Sequence, residues 1–166
     1  NRLLMQYREI KLDDKIYKLF TNDLANSRKV IYCTDNCGEI VLDKLLIKYL
    51  TLYYPQLEIQ VIVRGEEIGN DASIEDAENI SMQEVAAFEG NGTTIAGTSL
   101  HLLSDKLKKK FYKADMIISK GQGNYETLSG SGLNIYYLFL CKCNHLQKIF
   151  LAKFLDPIFS MECERR

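Results

Sequence analysis

Histidine, proline and tryptophan are scarce in this chain of 166 residues, which has two His, two Pro and no Trp. His101 and His145 have no other metal ligand at a suitable spacing, so the sequence does not indicate a zinc site of clustered histidines. A dominant charge is also lacking, because 21 Lys and Arg oppose 22 Asp and Glu to give a net charge of -1. No global field therefore attracts nucleic acid or an anionic membrane, and a bound anion needs a local site.

Targeting and cross-linking signals are lacking as well. The five cysteines do not have the paired spacing of a zinc ribbon or of a secreted disulfide framework. No stretch resembles a signal peptide, and the apolar run over residues 133–141 is too short to span a bilayer. The run Lys108-Lys109-Lys110 has no interleaved aromatic residues, so we interpret it as a solvated helix face and not as a nucleic-acid site. We expect a cytoplasmic protein without membrane or nucleic-acid partners.

The length fits a single domain that buries roughly 70% of the surface of its unfolded chain. We predict a helical segment over residues 1–27 and an α/β domain over residues 28–166. The chain has no initiator Met, and we interpret the helical segment as the end of a truncated N-terminal helical domain. Apolar residues at helical spacing open the chain, namely Leu3, Leu4, Tyr7 and Ile10.

Apolar β-branched runs alternate with helical patterns, which predicts a three-layer α/β/α fold with a mostly parallel, Rossmann-like sheet. The helix predicted over residues 39–54 has only a narrow polar stripe, so we expect most of its circumference to be covered. The predicted strands span residues 30–33, 58–63, 94–96, 114–119 and 133–140. The other predicted helices span residues 13–26, 82–88 and 104–112, and the tail from residue 145 is helical until Asp156-Pro157.

The first polar motif, Thr34-Asp35-Asn36-Cys37-Gly38-Glu39, follows the first predicted strand directly. The end of a strand in a parallel sheet is where such folds deliver side chains to a site. Asn36 with Glu39 three residues later also fits a capping box, so the pair has a purely structural alternative.

A second acidic loop follows the strand at residues 58–63. A right-handed β-α-β crossover places the carboxyl ends of both strands at one edge of the sheet, so this loop lies beside the first. Ser73 and Asp76 fit the capping box of the next helix. Asp71 is therefore not needed as a cap and is a candidate ligand.

A third motif, Ser119-Lys120-Gly121-Gln122-Gly123-Asn124-Tyr125-Glu126, ends the strand predicted over residues 114–119. Two glycines allow the backbone to approach an anion, and the lysine and amides supply donors. There is no third glycine for a dinucleotide turn and no G-K-[ST] for a P-loop, so both fingerprints are rejected. Taken alone, the motif is equally compatible with a glycine-rich turn. A further cation, Lys142, follows the last predicted strand.

Together these loops contain two carboxylates and an amide on one side and two lysines on the other. Oxygen ligands without a histidine cluster suit Mg²⁺ or Mn²⁺, and Lys120 and Lys142 are placed to hold a phosphate. Such a combination serves phosphoryl chemistry by stabilising charge on the phosphate oxygens.

Residues 34–39, 70–77 and 119–128, in this order, resemble the damage-control metal-dependent phosphatases, catalogued as domain of unknown function 89. The similarity covers about residues 28–152, and the short form resembles the microbial stand-alone branch of that family. It implies that Asp35, Asn36 and Asp71 bind a divalent metal ion such as Mg²⁺, Mn²⁺, Co²⁺ or Ni²⁺. The substrate-contacting residues that it implies are Gln122, Gly123, Asn124, Glu126 and Lys142, with Asn124 foremost, and we add Lys120 from its position.

The resemblance predicts a divalent-metal-dependent phosphatase that hydrolyses phosphomonoesters of small metabolites, such as sugar phosphates or damaged phosphometabolites. A non-catalytic sensor that binds metal and phosphometabolite is the alternative from another class. A carboxyl methyltransferase that uses S-adenosylmethionine is disfavoured, because no glycine-rich methyltransferase loop follows the first strand.

Two routes are open for hydrolysis: direct attack by a metal-activated water, or prior attack by Asp35 to form an aspartyl phosphate. The absence of a D-x-D motif, since Cys37 stands two residues after Asp35, favours the first. Glu39 and Glu126 are candidates to orient the water. We expect that Asp35→Ala and Asp71→Ala each abolish turnover without unfolding the protein, because both residues lie on loops.

Overall fold

A six-stranded sheet forms the centre of the molecule, with helices on both faces. The computed structural model describes residues 12–162. The strands are β1 (Lys29–Cys33), β2 (Glu58–Val63), β3 (Ala87–Gly90), β4 (Met116–Lys120), β5 (Ile135–Leu140) and β6 (Pro157–Met161). The helices are α1 (Asp14–Asn26), α2 (Ile40–Tyr53), α3 (Ile74–Asn79), α4 (Asp105–Lys113), α5 (Gln122–Leu128) and α6 (Asn144–Phe150), with a 3₁₀ turn at Met82–Glu84.

The strand order is β3-β2-β1-β4-β5-β6. The first five strands are parallel, and β6 pairs antiparallel with β5. The order reverses between β1 and β4, whose register pairs Tyr32 with Ile118. In an open sheet of this kind, ligands bind in the crevice outside the carboxyl ends of the two strands at the reversal. The topology therefore places the loops after β1 and β4 at the edge where a ligand is expected.

Alternation along the strands builds a core on each face of the sheet. Val30 and Tyr32 point to the face covered by α1, α2 and α3, whereas Ile31 and Cys33 point to the face covered by α4, α5 and α6. This arrangement confirms the predicted three-layer α/β/α fold with a mostly parallel sheet. No helix within residues 12–162 has the length and apolar character needed to cross a membrane.

The third strand lies earlier in the chain than predicted. The strand expected at residues 94–96 is wrong: Ala87–Gly90 forms β3, and the helix expected over residues 82–88 is only a 3₁₀ turn. Gly90 lies in the strand where backbones approach closely, because a Cβ there would stand 2.9 Å from the Cα of Gly65. A glycine required by close packing looks the same in a sequence as a glycine required by a turn.

The sixth strand was not predicted. The tail expected to stay helical from residue 145 to Asp156-Pro157 is wrong in its extent, because α6 ends at Phe150. Pro157 is the first residue of β6 and pairs with Leu140 of β5. Proline is compatible with the first position of an edge strand, and the pairing that creates this strand comes from a neighbour distant in the sequence.

The outer surface of α2 is apolar and exposed within the described residues, contrary to the expectation that most of this helix is covered. Its inner face, with Ile40, Ile47 and Leu50, is buried against the sheet. The residues of its outer face are between 51% and 74% exposed, namely Val41, Leu42, Leu45, Tyr49, Leu52 and Tyr53. The helical pattern expected over residues 3–10 lies outside the described residues.

Asp115 joins the amino ends of β1 and β4, because its Oδ2 accepts the backbone N–H groups of Arg28 at 2.9 Å and Lys29 at 2.7 Å. The hydrogen bond from Lys29 has the larger effect, and together with the one from Arg28 it lowers the pKa of Asp115 below its usual 3.8. A carboxylate with a lowered pKa stabilises the fold above its unfolded pKa, and this contribution is lost as the pH falls through the folded pKa.

We therefore expect Asp115→Asn to lower the melting temperature at pH 7 by about 2–4 °C, equal to about 1 kcal/mol in a chain of this size. The difference from the wild type should narrow as the pH falls below 3.8, where Asp115 takes up a proton. Thermal melts between pH 7 and a pH below 3.8 test this expectation, with Glu78→Gln, at an exposed position of α3, as the control. A difference that does not change with pH contradicts the assignment.

Candidate functional site

A cleft of about 650 Å³ opens at the carboxyl edge of the sheet, beside the reversal of strand order. Four of the residues predicted for the site line it: Asp35 after β1, Lys120 at the end of β4, Gln122 at the start of α5 and Lys142 after β5. Glu39 joins them. The cleft thus collects acidic and basic side chains from separate strands at the place that the topology indicates.

The carboxylate of Asp35 lies against the backbone of Gly121. A Cβ on Gly121 would stand 2.0 Å from the Asp35 Cγ, and Gly121 has a φ of +86°. The backbone carbonyl of Asp35 accepts the N–H of Ala72 at 2.7 Å, but its carboxylate oxygens have no hydrogen-bond donor among the described residues. Asp35 is therefore held firmly while its carboxylate is left for a ligand.

The surroundings of Asp35 disfavour the ionised form of its carboxyl group. Burial raises the pKa of Asp35, and the negative charges of Asp71 and Glu39 raise it further. The positive charges of Lys142 and Arg64 oppose this shift without cancelling it. An ionised Asp35 is thus destabilised by its neighbours, and a cation bound beside it would relieve the repulsion.

Asn36 does not form the capping box that was its structural alternative. Helix α2 begins at Ile40 with Glu39 as the N-cap residue, and no side chain makes a cap hydrogen bond there. The Asn36 Oδ1 instead accepts the N–H of Gly38 at 2.8 Å, and the backbone of Asn36 forms an isolated antiparallel bridge with Asp71. The loops after β1 and β2 are therefore joined at the two residues predicted to be ligands.

Asp71 is partnered by a buried arginine that the sequence analysis did not identify. The Nε of Arg64 donates to the Asp71 Oδ2 at 2.6 Å, and the side chains are 2% and 16% exposed. The capping box of Ser73 and Asp76 is confirmed, so Asp71 has no role as a helix cap. Asp71 lines a separate depression of about 360 Å³ with Cys37, although its charge is close enough to act on Asp35.

Lys120 is ion-paired and is not a free cation. Its Nζ lies 2.9 Å from the Asp43 Oδ1 and 3.0 Å from the Glu39 Oε2. Burial lowers the pKa of Lys120, but the interactions with Asp43 and Glu39 raise it by more, so the ammonium is protonated at neutral pH. The Asp43 Oδ1 also accepts the hydroxyl of Tyr32 at 2.7 Å. Asp43 was missed as well, although an acid four residues after Glu39 on an apolar helix was an available signal.

Three of the predicted substrate contacts do not line the cleft. The predicted glycine-rich loop is a strand end followed at once by α5, and Gly123, Asn124 and Glu126 are not among the residues that line the cleft. Asn124 is fully buried, and its Nδ2 donates to the carbonyl oxygens of Thr34 at 2.9 Å and Lys120 at 2.7 Å. Contact with a ligand at these three positions stays a prediction.

Gln122 connects the loops after β4 and β5. Its Oε1 accepts the backbone N–H of Lys142 at 3.0 Å, and its Nε2 donates to Glu126 at 2.8 Å. The side chain of Gln122 thus holds the Lys142 backbone beside the cleft, and the ammonium group of Lys142 extends from a fixed point.

The donor set fits a hard divalent cation. Within residues 12–162, no three or more His, Cys, Asp or Glu side chains cluster as a metal cage requires. Two carboxylates and an amide are present instead, in Asp35, Asp71 and Asn36. Mg²⁺ is commonly bound by one or two carboxylates while it keeps water molecules and contacts substrate phosphates. The residues therefore fit a metal site that a phosphorylated ligand completes.

Residues 3–153 match the sequence model of a family described as the damage-control phosphatase ARMT1-like domain. The chain is 37% identical over 141 residues to an uncharacterized protein, MJ0202, of Methanocaldococcus jannaschii, covering 81% of this chain and 45% of that protein. It is 34% identical over 140 residues to damage-control phosphatase PH1575 of Pyrococcus horikoshii, covering 81% of this chain and 48% of the relative.

The fold also matches a crystal structure of the DUF89 family protein PH1575 from Pyrococcus horikoshii. The TM-score is 0.85 at 29% identity, over 97% of this chain and 56% of that one. The chain spans about half the length of the curated relatives it matches.

Proposed function

The chain belongs to the damage-control phosphatase ARMT1-like family, and we propose that it is a divalent-metal-dependent phosphatase acting on phosphomonoesters of small metabolites. The observation that carries this proposal is the carboxylate of Asp35, which has no hydrogen-bond donor within residues 12–162 and is repelled by Asp71 and Glu39. Such an arrangement is costly for a protein unless a cation is bound there.

Asp35, Asn36 and Asp71 would hold the cation, with Mg²⁺ or Mn²⁺ favoured by the oxygen donors. A bound divalent ion polarises a phosphoryl oxygen and neutralises charge that develops on it. Lys142, which also lines the cleft, would bind the phosphate of the substrate. Lys120 adds positive charge at the cleft floor, while its pairing with Asp43 and Glu39 fixes its position.

Glu39 is the better candidate to orient an attacking water. It lines the cleft together with Asp35, whereas Glu126 does not and pairs with Gln122 instead. Only one oxygen of Glu39, Oε2, is occupied by Lys120, so the other is available to accept a proton from water. No D-x-D motif starts at Asp35, because Cys37 stands two residues after it, and we therefore favour direct attack by water over an aspartyl phosphate on Asp35.

The proposal is tested by phosphate release from a panel of sugar phosphates and a generic aryl phosphate. The protein is assayed with Mg²⁺, Mn²⁺, Co²⁺ or Ni²⁺ against a chelated control. Metal-dependent release that Asp35→Asn abolishes supports a phosphatase. Binding of metal and a phosphorylated metabolite without release from any substrate contradicts it and favours the non-catalytic sensor.

Lys142→Ala is expected to raise the KM for a phosphomonoester about tenfold, equal to a loss of about 1.4 kcal/mol of binding. The reason is that an ammonium group near the phosphate contributes a charge-assisted hydrogen bond. Initial-rate kinetics over a range of substrate concentration measure the effect, with Lys148→Ala on exposed α6 as the control. An unchanged KM would show that Lys142 does not contact the phosphate of the substrate.

A further inference from the structure

A single buried guanidinium, that of Arg64, links the loops that follow β2 and β3 to helix α5, which follows β4. Arg64 comes directly after β2 and is 2% exposed. Its backbone N–H donates to the carbonyl of Ala72 at 2.8 Å, so the residue is anchored to the loop that contains Asp71. Burying a cation is unfavourable unless its donors are satisfied, and the partners of Arg64 show where its donors are used.

The guanidinium distributes its donors over two loops and helix α5. Nε donates to the Asp71 Oδ2 at 2.6 Å. Nη1 donates to the carbonyl of Gly97 and, at 3.1 Å, to the Oγ1 of Thr98, both in the loop after β3. Both Nη atoms lie 3.4 Å from the Oδ1 of Asn124 in α5.

Asn124 extends this network to the first loop, because its Nδ2 donates to the carbonyl of Thr34 at 2.9 Å. Thr34 directly precedes Asp35. The contacts of Arg64 and Asn124 together therefore fix the carboxylate of Asp71 and the backbone beside Asp35, the two predicted metal ligands.

The geometry leaves one oxygen of Asp71 for a ligand. Arg64 occupies Oδ2, and Oδ1 has no hydrogen-bond partner among the described residues. A planar guanidinium with five donors in a rigid fork can hold a carboxylate and three other groups at once, which a lysine ammonium cannot.

We propose that Arg64 is a positioning residue of the metal site: it fixes the Asp71 carboxylate through Oδ2 so that Oδ1 is presented to the cation. This inference rests on the proposed function, because it assigns Asp71 as a metal ligand. It gives a role to Arg64 and to the buried Asn124, which does not need to touch substrate to support the site.

The inference is tested by Mn²⁺ binding measured by calorimetry on the wild type, on Arg64→Lys and on the control Arg28→Lys, whose Arg28 pairs with Glu58 at the surface. Arg64→Lys should weaken Mn²⁺ binding about 10–100-fold, the range typical of groups that orient a metal ligand, and Arg28→Lys should not change it. Phosphate release by Arg64→Lys should recover when Mn²⁺ is raised above its new Kd. A purely structural defect would not be rescued by metal.

If Arg64→Lys binds Mn²⁺ as tightly as the wild type does, this inference is overturned and the proposed function is not. A wild type that binds no Mn²⁺ would overturn the proposed function as well. A second measurement needs no variant and covers the case in which Arg64→Lys fails to fold. The Arg64 Nε–H proton of the wild type should stay protected from solvent exchange when Mg²⁺ saturates the site. An exchange rate tenfold faster with Mg²⁺ would show that Asp71 separates from Arg64, and this result would overturn the inference.

Discussion

Replacing Asp35 by asparagine is expected to lower phosphatase activity about 1,000-fold, a loss of about 4 kcal/mol of transition-state stabilisation. The change removes the charge of the one cleft carboxylate that has no donor within residues 12–162, while it keeps the size of the side chain against Gly121. The same variant should melt about 2–4 °C higher than the wild type without metal, because it removes the cost of burying the Asp35 charge and the repulsion of that charge by Asp71 and Glu39. Phosphate release and thermal melts in the presence of a chelator measure the two effects.

The matched control is Glu66→Gln, an exposed acid in the loop after β2. It should change neither activity nor melting temperature. An Asp35→Asn variant that loses activity and also melts lower than the wild type would contradict the account, since it would make Asp35 a structural residue and not a destabilised ligand.

Replacing Asp71 tests the metal site less directly than replacing Asp35 does. Asp71→Ala was predicted to leave the fold intact because the residue lies on a loop. The structure shows that it neutralises Arg64, which is 2% exposed. Removing one partner of a buried ion pair costs about 3–5 kcal/mol, so lost activity in Asp71→Ala has two possible causes and in Asp35→Asn only one.

Gly121→Ala is expected to lower the melting temperature by at least about 4 °C and the value of kcat/KM at least tenfold. A Cβ at this position would stand 2.0 Å from the Asp35 Cγ, and overpacking of this kind costs about 1–3 kcal/mol. The backbone adds a second cost, since φ +86° and ψ 153° is a conformation that is essentially restricted to glycine. Thermal melts and initial-rate kinetics measure the two losses.

Gly130→Ala separates the two costs. Gly130 has a φ of +83°, close to that of Gly121, but an added Cβ there would have nothing within 4 Å. This control should lose some stability from its backbone and none of its kcat/KM. If Gly121→Ala keeps its kcat/KM as Gly130→Ala is expected to, the close contact between Gly121 and Asp35 does not affect catalysis.

Much of the fold was predictable because it depends on local patterns. The alternation of buried side chains in β1 and the continuous apolar run of β2 identify two strands of a parallel sheet. Their parallel pairing then brings the loops of Asp35 and Asp71 together, and the structure has this arrangement. Elements that depend on distant partners were not predictable: β3 lies at Ala87–Gly90 and β6 exists because it pairs with β5.

The placement of Asp35, Lys120 and Lys142 in the cleft was predictable, because a polar residue directly after a buried strand is informative by position alone. Arg64 was not identified, since the sequence gives no indication of which distant group neutralises it. Lys120 was placed correctly beside the cleft, but its pairing with Glu39 and Asp43 depends on α2 packing across the carboxyl end of β4.

In the proposed site, the loops after β1 and β2 hold a divalent cation for phosphoryl chemistry. An anomalous difference map from a crystal of the protein soaked with Mn²⁺ shows directly whether they do. We expect a peak within about 2.0–2.6 Å of carboxylate oxygens of both Asp35 and Asp71, the range of oxygen ligands to hard divalent cations. A map at saturating Mn²⁺ with no peak between these two residues, or with its peak at Glu39 and Asp43 instead, would contradict it.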